Sequence, residues 1–230
     1  ASNPLRGENV GGPQFPSPAL ADLDGDGDLD VVAGNQFGKL FAFENRIGQF
    51  VSSGDVDPQE IDPAENASAI MGGDFDGDGD VGIFVTSVKT VGTPPDPCGY
   101  FDNTGTATQP SFSAVLLPGL LQAGCVGVPL TVDLDGDADL DLVAGGIWYL
   151  NSGTRTAPQF VLGRTLFAQV GPVAPGITFG DLDGDGDFDA SVIEHGLNGL
   201  SNIPKYYENT GGPTNPLFVE RTGSANPLPL

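Results

Sequence analysis

The chain has 230 residues, enough for one sizeable domain with an apolar core. Its 31 acidic residues face only 8 basic ones, and the formal charge of −23 argues against nucleic acid and anionic membranes as partners. No segment approaches the roughly 20 apolar residues that a membrane-spanning helix needs. Thirty-five Gly and 20 Pro are spread between short apolar runs, a composition of many short strands joined by turns. The one helix candidate, Leu116 to Ala123, is interrupted by Pro118 and Gly119.

In chain order, Glu8 to Phe15 comes first and matches Glu208 to Phe218 apart from a short insertion. It reads as the tail of a repeat without its opening. Next comes a short apolar strand at Ala19-Leu20, then an acidic loop carrying Asp22, Asp24, Asp26, Asp28 and Asp30. Val31-Val32 reads as a second strand, Leu40 to Asn45 as an aromatic-rich third and Phe50-Val51 as a fourth. The sequence then repeats itself. A strand at Ala69 to Met71 precedes Asp74, Asp76, Asp78 and Asp80, where Gly82 stands in place of a fifth aspartate. Ile83 to Val85, Tyr100 to Asn103 and Phe112 follow, with the insertion Thr90 to Cys98 among them. Leu130 to Val132 precedes Asp133, Asp135, Asp137, Asp139 and Asp141, with Ala138 where the other loops have glycine; Leu142-Val143, Trp148 to Asn151 and Phe160-Val161 follow. The last copy runs from Ile177 to Phe179 through Asp181, Asp183, Asp185, Asp187 and Asp189 to Val192-Ile193, Tyr206 to Asn209 and Phe218-Val219.

The loops start 52, 59 and 48 residues apart. Each repeat is thus about four short strands in roughly 50 residues, the period of a propeller blade. The fold expected is all-β: a propeller-like array of four four-stranded blades in a single repeat domain. Residues 1–18 are a surplus blade tail, and the repeats run about 19–65, 66–127, 128–173 and 174–230. A lone blade cannot bury both faces, so the aromatic residues belong between blades.

Alternate aspartates repel one another at close range unless a counter-ion is present. A hard divalent cation such as Ca2+ takes six to eight oxygens and suits such a loop. The first, third and fifth positions offer side chains, the seventh a backbone carbonyl and the ninth a closing carboxylate. Gly186 lets the loop turn back at positive φ. Four Ca2+ sites are expected, the second weakest because Gly82 removes one carboxylate. An EF-hand competes for the same pattern, but it needs Glu at loop position 12, where Ala33, Val85, Ala144 and Val192 stand, and helices on both sides. Solvated acidic turns without metal are the other alternative.

The aspartate loop, the following strand and the aromatic-x-Asn-Thr-Gly turn together resemble the FG-GAP/VCBS repeat family over nearly the whole chain, in four copies. That resemblance implies calcium-loaded β-propellers, as in integrin alpha chains, some fungal lectins and many secreted bacterial proteins, with calcium in the loop between the first two strands of a blade.

Catalytic equipment is sparse. His195 is the only histidine, no Gly-x-Ser-x-Gly elbow occurs, and no phosphate-binding glycine loop with lysine is present. The expectation is therefore a non-enzymatic, extracellular or cell-surface module for structural assembly or adhesion. Its partners would be itself, through head-to-tail contacts, or glycans and extracellular proteins. A carbohydrate-binding lectin is the alternative, with Trp148, Tyr149, Tyr206, Tyr207 and the insertion loops as the surface to search; a propeller-based polysaccharide lyase or hydrolase comes third. Cys98 and Cys125, the only cysteines, read as a disulfide of an oxidising compartment, against two buried thiols. Asn66-Ala67-Ser68 is a candidate N-glycosylation sequon, and Ala1-Ser2-Asn3-Pro4 reads as a mature terminus.

Overall fold

A computed structural model describes residues 17–34, 40–55, 68–87, 99–105, 111–115, 128–167, 176–193 and 204–228. Blade 1 is built from β1 (Ser17–Ala21), β2 (Asp30–Gly34), β3 (Leu40–Asn45) and β4 (Phe50–Asp55); blade 2 from β5 (Ser68–Gly73), β6 (Gly82–Ser87), β7 (Gly99–Asn103) and β8 (Phe112–Val115). Blade 3 comprises β9 (Pro129–Val132), β10 (Asp141–Ala144), β11 (Ile147–Asn151) and β12 (Phe160–Thr165); blade 4 comprises β13 (Gly176–Gly180), β14 (Asp189–Ile193), β15 (Pro204–Asn209) and β16 (Phe218–Arg221). Each blade is an antiparallel meander in chain order, and the four blades are arranged as in a β-propeller, with first strands side by side: β1 by β5, β5 by β9, β9 by β13. The only helical element among the described residues is a 3₁₀ turn at Gly223–Ala225.

Strand alternation sends successive side chains to opposite faces of a blade, and each blade uses both. At the three seams described, the forward face of one blade meets the backward face of the next. Val32, Ala21, Leu23 and Ala42 of blade 1 pack on Ile83, Val85 and Phe101 of blade 2. Phe75, Phe84 and Tyr100 then pack on Leu142, Ala144, Tyr149 and Phe160, and Leu134, Val143 and Trp148 on Ala190, Val192 and Tyr207. Burial on both faces explains why the second strands read as unbroken apolar runs rather than alternating ones. The blade 2–3 seam is aromatic: Phe84 contacts Phe75 at 4.7 Å, Tyr100 at 4.9 Å and Phe160 at 5.7 Å between ring centroids.

This packing decides one sequence expectation and leaves others untouched. Trp148, Tyr149, Tyr206 and Tyr207 are all buried, so they are not an accessible sugar-binding shelf; Trp148, Tyr149 and Tyr207 pack in the seams between blades. Glu8 to Phe15, Asn66, Cys98, Cys125 and His195 lie outside the described residues.

Candidate metal centres

All four aspartate loops occupy the same place, between the first and second strands of a blade, and fold alike. The first carboxylate collects loop amides. Asp22 accepts the N–H of Gly25 (2.7 Å) and Gly27 (3.0 Å), and Asp181 that of Gly184 (2.7 Å) and Gly186 (3.2 Å). Asp133 accepts from Gly136, Asp137 and Ala138, and Asp74 from Gly77. The fifth-position carboxylates, Asp26, Asp78, Asp137 and Asp185, each accept the amide two residues on. Chain reversal needs left-handed backbone at the sixth position, as the sequence suggested: φ is +93° at Gly27, +97° at Gly79 and +96° at Gly186, and Ala138 adopts +74° despite its methyl. The fourth position is left-handed too, as at Gly184 (+85°).

The ninth carboxylate does more than close a loop. Asp141 is fully buried; its Oδ1 accepts the backbone N–H of Asn151 (2.7 Å) and its Oδ2 that of Leu134 (3.2 Å). Asp30 does the same with Asn45 and Leu23, and Asp189 with Asn209 and Leu182, adding the Tyr206 hydroxyl at 3.0 Å. This residue therefore clips the loop to the third strand. The clip continues into the next turn. Asn151 Oδ1 accepts the N–H of Gly153 (3.0 Å) and Gln159 (2.9 Å), Asn103 those of Gly105 and Ser111, and Asn209 those of Gly211 and Leu217. The Thr-Gly and Ser-Gly turns follow from this. Ser152 and Thr210 hydroxyls donate across the turn to the Gln159 and Leu217 carbonyls, and a Cβ on Gly153 or Gly211 would collide with the carbonyl oxygens of Ala157 or Asn215.

Blade 2 departs from the pattern for a steric reason. A Cβ on Gly82 would come within 2.7 Å of the Tyr100 ring and hydroxyl, so the tyrosine occupies the room of the missing carboxylate. Asp102 compensates. It stands where blades 1 and 4 have Glu44 and Glu208, which are paired with Arg46 (2.7 Å) and Arg221 (2.8 Å). Asp102 instead accepts weakly from the Tyr100 hydroxyl (3.5 Å) and lies beside Asp78 and Asp80. Sequence reading missed Asp102; the signal was an acidic residue before the turn Asn in the one repeat lacking the ninth aspartate.

Carboxylate oxygens converge within 4.8 Å of one another in five groups: Asp22, Asp24 and Asp30; Asp74, Asp76 and Asp78; Asp78, Asp80 and Asp102; Asp133, Asp135 and Asp137; Asp181, Asp183 and Asp189. Of the sequence candidates, Asp26, Asp28, Asp139, Asp141, Asp185 and Asp187 fall outside these groups. The donor set is all oxygen, the preference of Ca2+. Two observations suit a cation. Buried Oδ1 atoms of Asp28, Asp135 and Asp187 have no hydrogen-bond partner among the described residues. Burial, with neighbouring aspartates adding, pushes Asp24, Asp28, Asp76, Asp135, Asp183 and Asp187 above the usual carboxylate range; Asp80 reaches about 6. Asp141 also rises to about 6, chiefly through burial.

Two crevices open between successive blades beside the loops. One, of about 180 Å³, lies between Asp133, Leu134 and Gly136 of blade 3 and Asp181, Asp187 and half-exposed Phe188 of blade 4. The other, of about 240 Å³, is bounded by Asp76, Tyr100 and Asp102 of blade 2 and Ala157, Pro158 and Gln159 of blade 3.

Residues 22–85 match the FG-GAP-like repeat family, in agreement with the resemblance read from the motifs. No curated protein matches the chain. Among solved structures, a lectin from Agrocybe aegerita, described as recognising non-reducing terminal N-acetylglucosamine, is similar at a TM-score of 0.50 and 20% identity over 87% of this chain. The biofilm matrix protein Bap1 of V. cholerae aligns at 0.43 and 18% over 88% of the chain and 29% of its own length. At these identities the lectin shares the fold alone; this chain spans about half its length, 50%.

Proposed function

We propose that the chain is a non-catalytic, calcium-stabilised propeller module of an extracellular or cell-surface protein, serving structural assembly or adhesion. The observation that carries this reading is the equivalent placement of four aspartate loops, each gathering carboxylates at a blade's first turn. Calcium in each loop neutralises charge that the fold otherwise confines. Its role is structural: the loop is tied to the third strand through Asp30, Asp141 or Asp189, and no helix pair that could open flanks it among the described residues. Melting in EDTA against millimolar calcium tests the reading, since unpaired carboxylates destabilise each blade. The expected result is a clear rise of the melting temperature with calcium and none with magnesium alone; an unchanged temperature overturns it.

Glycan binding is the second reading, favoured by the inter-blade crevices rather than by the buried aromatic residues. At about 180 and 240 Å³ they fall below the roughly 300 Å³ of drug-sized pockets, room for a single sugar unit. They combine carboxylates with Tyr100 or Phe188, and the similar lectin recognises a terminal sugar. A glycan array tests it, with Phe188→Ala expected to abolish any signal arising at the blade 3–4 crevice.

A further inference from the structure

Seven Asp-Gly peptide bonds occur in the chain, all of them in the aspartate loops. Such a bond is open to attack on its own side chain, because glycine has no Cβ to hinder the approach of its amide nitrogen to the aspartate carboxyl carbon. In a folded loop the bond is protected when the glycine N–H donates elsewhere. The nitrogen must then give up that hydrogen bond before it can attack. Six of the seven are held in this way. Gly25 and Gly27 donate to Asp22 (2.7 and 3.0 Å), Gly77 to Asp74 (2.6 Å), Gly136 to Asp133 (2.8 Å), and Gly184 and Gly186 to Asp181 (2.7 and 3.2 Å). Gly79 is the exception: its amide meets no acceptor among the described residues.

Asp26-Gly27 and Asp185-Gly186 are the matched comparisons. They stand at the same loop position, are exposed like Asp78-Gly79, and have the same left-handed glycine, +93° and +96° against +97°. In all three the aspartate carboxylate accepts the amide two residues on, which keeps it folded back along the chain. Only the glycine amide differs, and the cause lies in the neighbouring blade. Oδ2 of Asp22, Asp133 and Asp181 accepts the sixth-position amide. In blade 2 the corresponding Oδ2 of Asp74 instead faces the Arg155 guanidinium at 3.7 Å, and the Arg155 side chain lies against Gly77. The blade 3 turn thus takes the acceptor that would otherwise hold Gly79.

We propose that Asp78-Gly79 is a modification site, where isoaspartate forms spontaneously because Arg155 draws Asp74 away from the Gly79 amide. The Gly79 nitrogen bonds to Cγ of Asp78, and the carboxyl hydroxyl and the amide proton leave together as water. Water then opens the resulting succinimide at the main-chain carbonyl carbon of Asp78. The chain now runs through the former side-chain carboxyl, and the former main-chain carbonyl becomes a free carboxylate. One water is lost and one regained, with no oxidant or reductant. The product carries an extra methylene in its backbone. Asp78 belongs to both carboxylate groups of blade 2, so the change moves its carboxylate out of both. A cation bound in the loop holds that carboxylate and slows the step; this clause alone rests on the calcium reading above.

Prolonged incubation of the full chain in EDTA and in millimolar calcium tests this, at a temperature where circular dichroism shows both samples folded. Peptide mapping with electron-transfer fragmentation reads isoaspartate at each Asp-Gly bond, and the urea-unfolded chain, in which all seven should convert, sets the time scale. In EDTA the folded protein should convert first at Asp78, about fivefold faster than at Asp26 or Asp185, the factor that one ordinary hydrogen bond is worth. Arg155→Gln, a change at a largely exposed side chain, releases Asp74 and should bring the rate at Asp78 down to that of the other two. Equal rates at the three bonds, earlier conversion at another bond, no conversion while the unfolded chain reacts, or a rate at Asp78 unchanged by Arg155→Gln overturns the proposal. Faster conversion at Asp78 that ignores calcium would count against the calcium reading of this loop and keep the modification site; a calcium-stabilised protein with equal rates would do the reverse.

Discussion

Replacing Asn151 by Ala probes the link between loop, strand and turn. The side chain is 2% exposed, and its Oδ1 is the acceptor for two amides, those of Gly153 at 3.0 Å and Gln159 at 2.9 Å. Alanine leaves both without a partner in a turn too tight for ready replacement by water, since a Cβ on Gly153 already has no room. An unsatisfied buried donor costs about 1–3 kcal/mol; these two are partly buried, which places the loss at roughly 2–4 kcal/mol. Asn45 provides the internal comparison. Its side chain accepts the Gly48 amide at 2.8 Å and donates to the Leu29 carbonyl at 3.2 Å, both exposed so that water replaces the lost partner, and Asn45→Ala should cost about 1 kcal/mol. Urea unfolding of both variants in calcium, at unchanged m-value, gives the two numbers. Hydrogen exchange should accelerate at Gly153 and Gln159 in the first variant and at Gly48 in the second. Equal losses, or an unchanged rate at Gln159, would refute the reasoning.

Four further outcomes follow from the same geometry. Ala138→Gly should stabilise the protein by about 0.5–1 kcal/mol, because a left-handed alanine is strained where Gly27, Gly79 and Gly186 are not; a loss in chemical unfolding contradicts this. Phe84→Ala, at the centre of the blade 2–3 aromatic seam, should cost about 3–5 kcal/mol by thermal unfolding, and a cost near that of a surface change would place the core elsewhere. In a calcium titration followed by anomalous scattering the blade 2 site should fill last, and Asp102→Asn should weaken it while leaving the other three unchanged; early filling of that site would mean that Gly82 removes no ligand. Finally, Asp141 and Asp80 are held up at about 6 against an ordinary 3.8. Such groups keep their protons in the folded state where the unfolded chain has lost them, so their contribution is complete below 3.8 and disappears as pH rises through about 6. Metal-free protein should therefore melt higher near pH 5 than near pH 7, with calcium removing the difference; a rise from pH 5 to pH 7 in EDTA would reverse the sign of the argument.

The strands were legible because their residues face uniform surroundings. Ile83-Phe84 and Leu142-Val143 are apolar on both sides since a blade covers each face, and the repeats state this in the same register. The turns were legible as Thr-Gly and Ser-Gly, although the reason, an asparagine oxygen holding two amides, needs coordinates. The aromatic third strands carried two readings, packing core and sugar platform, and their burial agrees with the first. Trp148 and Tyr149 look like a sugar platform in a list of residues, yet one packs into the blade 3–4 seam and the other into the blade 2–3 seam, and composition carries no record of which face a neighbour covers.

The same limit applied to the aspartates. A run of alternating carboxylates is the pattern a cation site requires, but it does not separate a residue that would bind from a residue that builds. Asp189 shows why: both of its oxygens already hold backbone amides, one also holds the Tyr206 hydroxyl, and it still lies within ligand distance of Asp181 and Asp183. Blade 2 resolves the two roles by substitution. With Tyr100 filling the space of the ninth carboxylate, the clip is gone and Asp102 approaches the loop from the third strand instead. The ninth position is thus primarily architectural, a carboxylate that ties the first turn to the third strand. On this argument Asp141→Asn should disturb the turn at Asn151 before it disturbs the affinity of the Asp133 loop for calcium, and a variant that binds normally but melts early would separate the two functions.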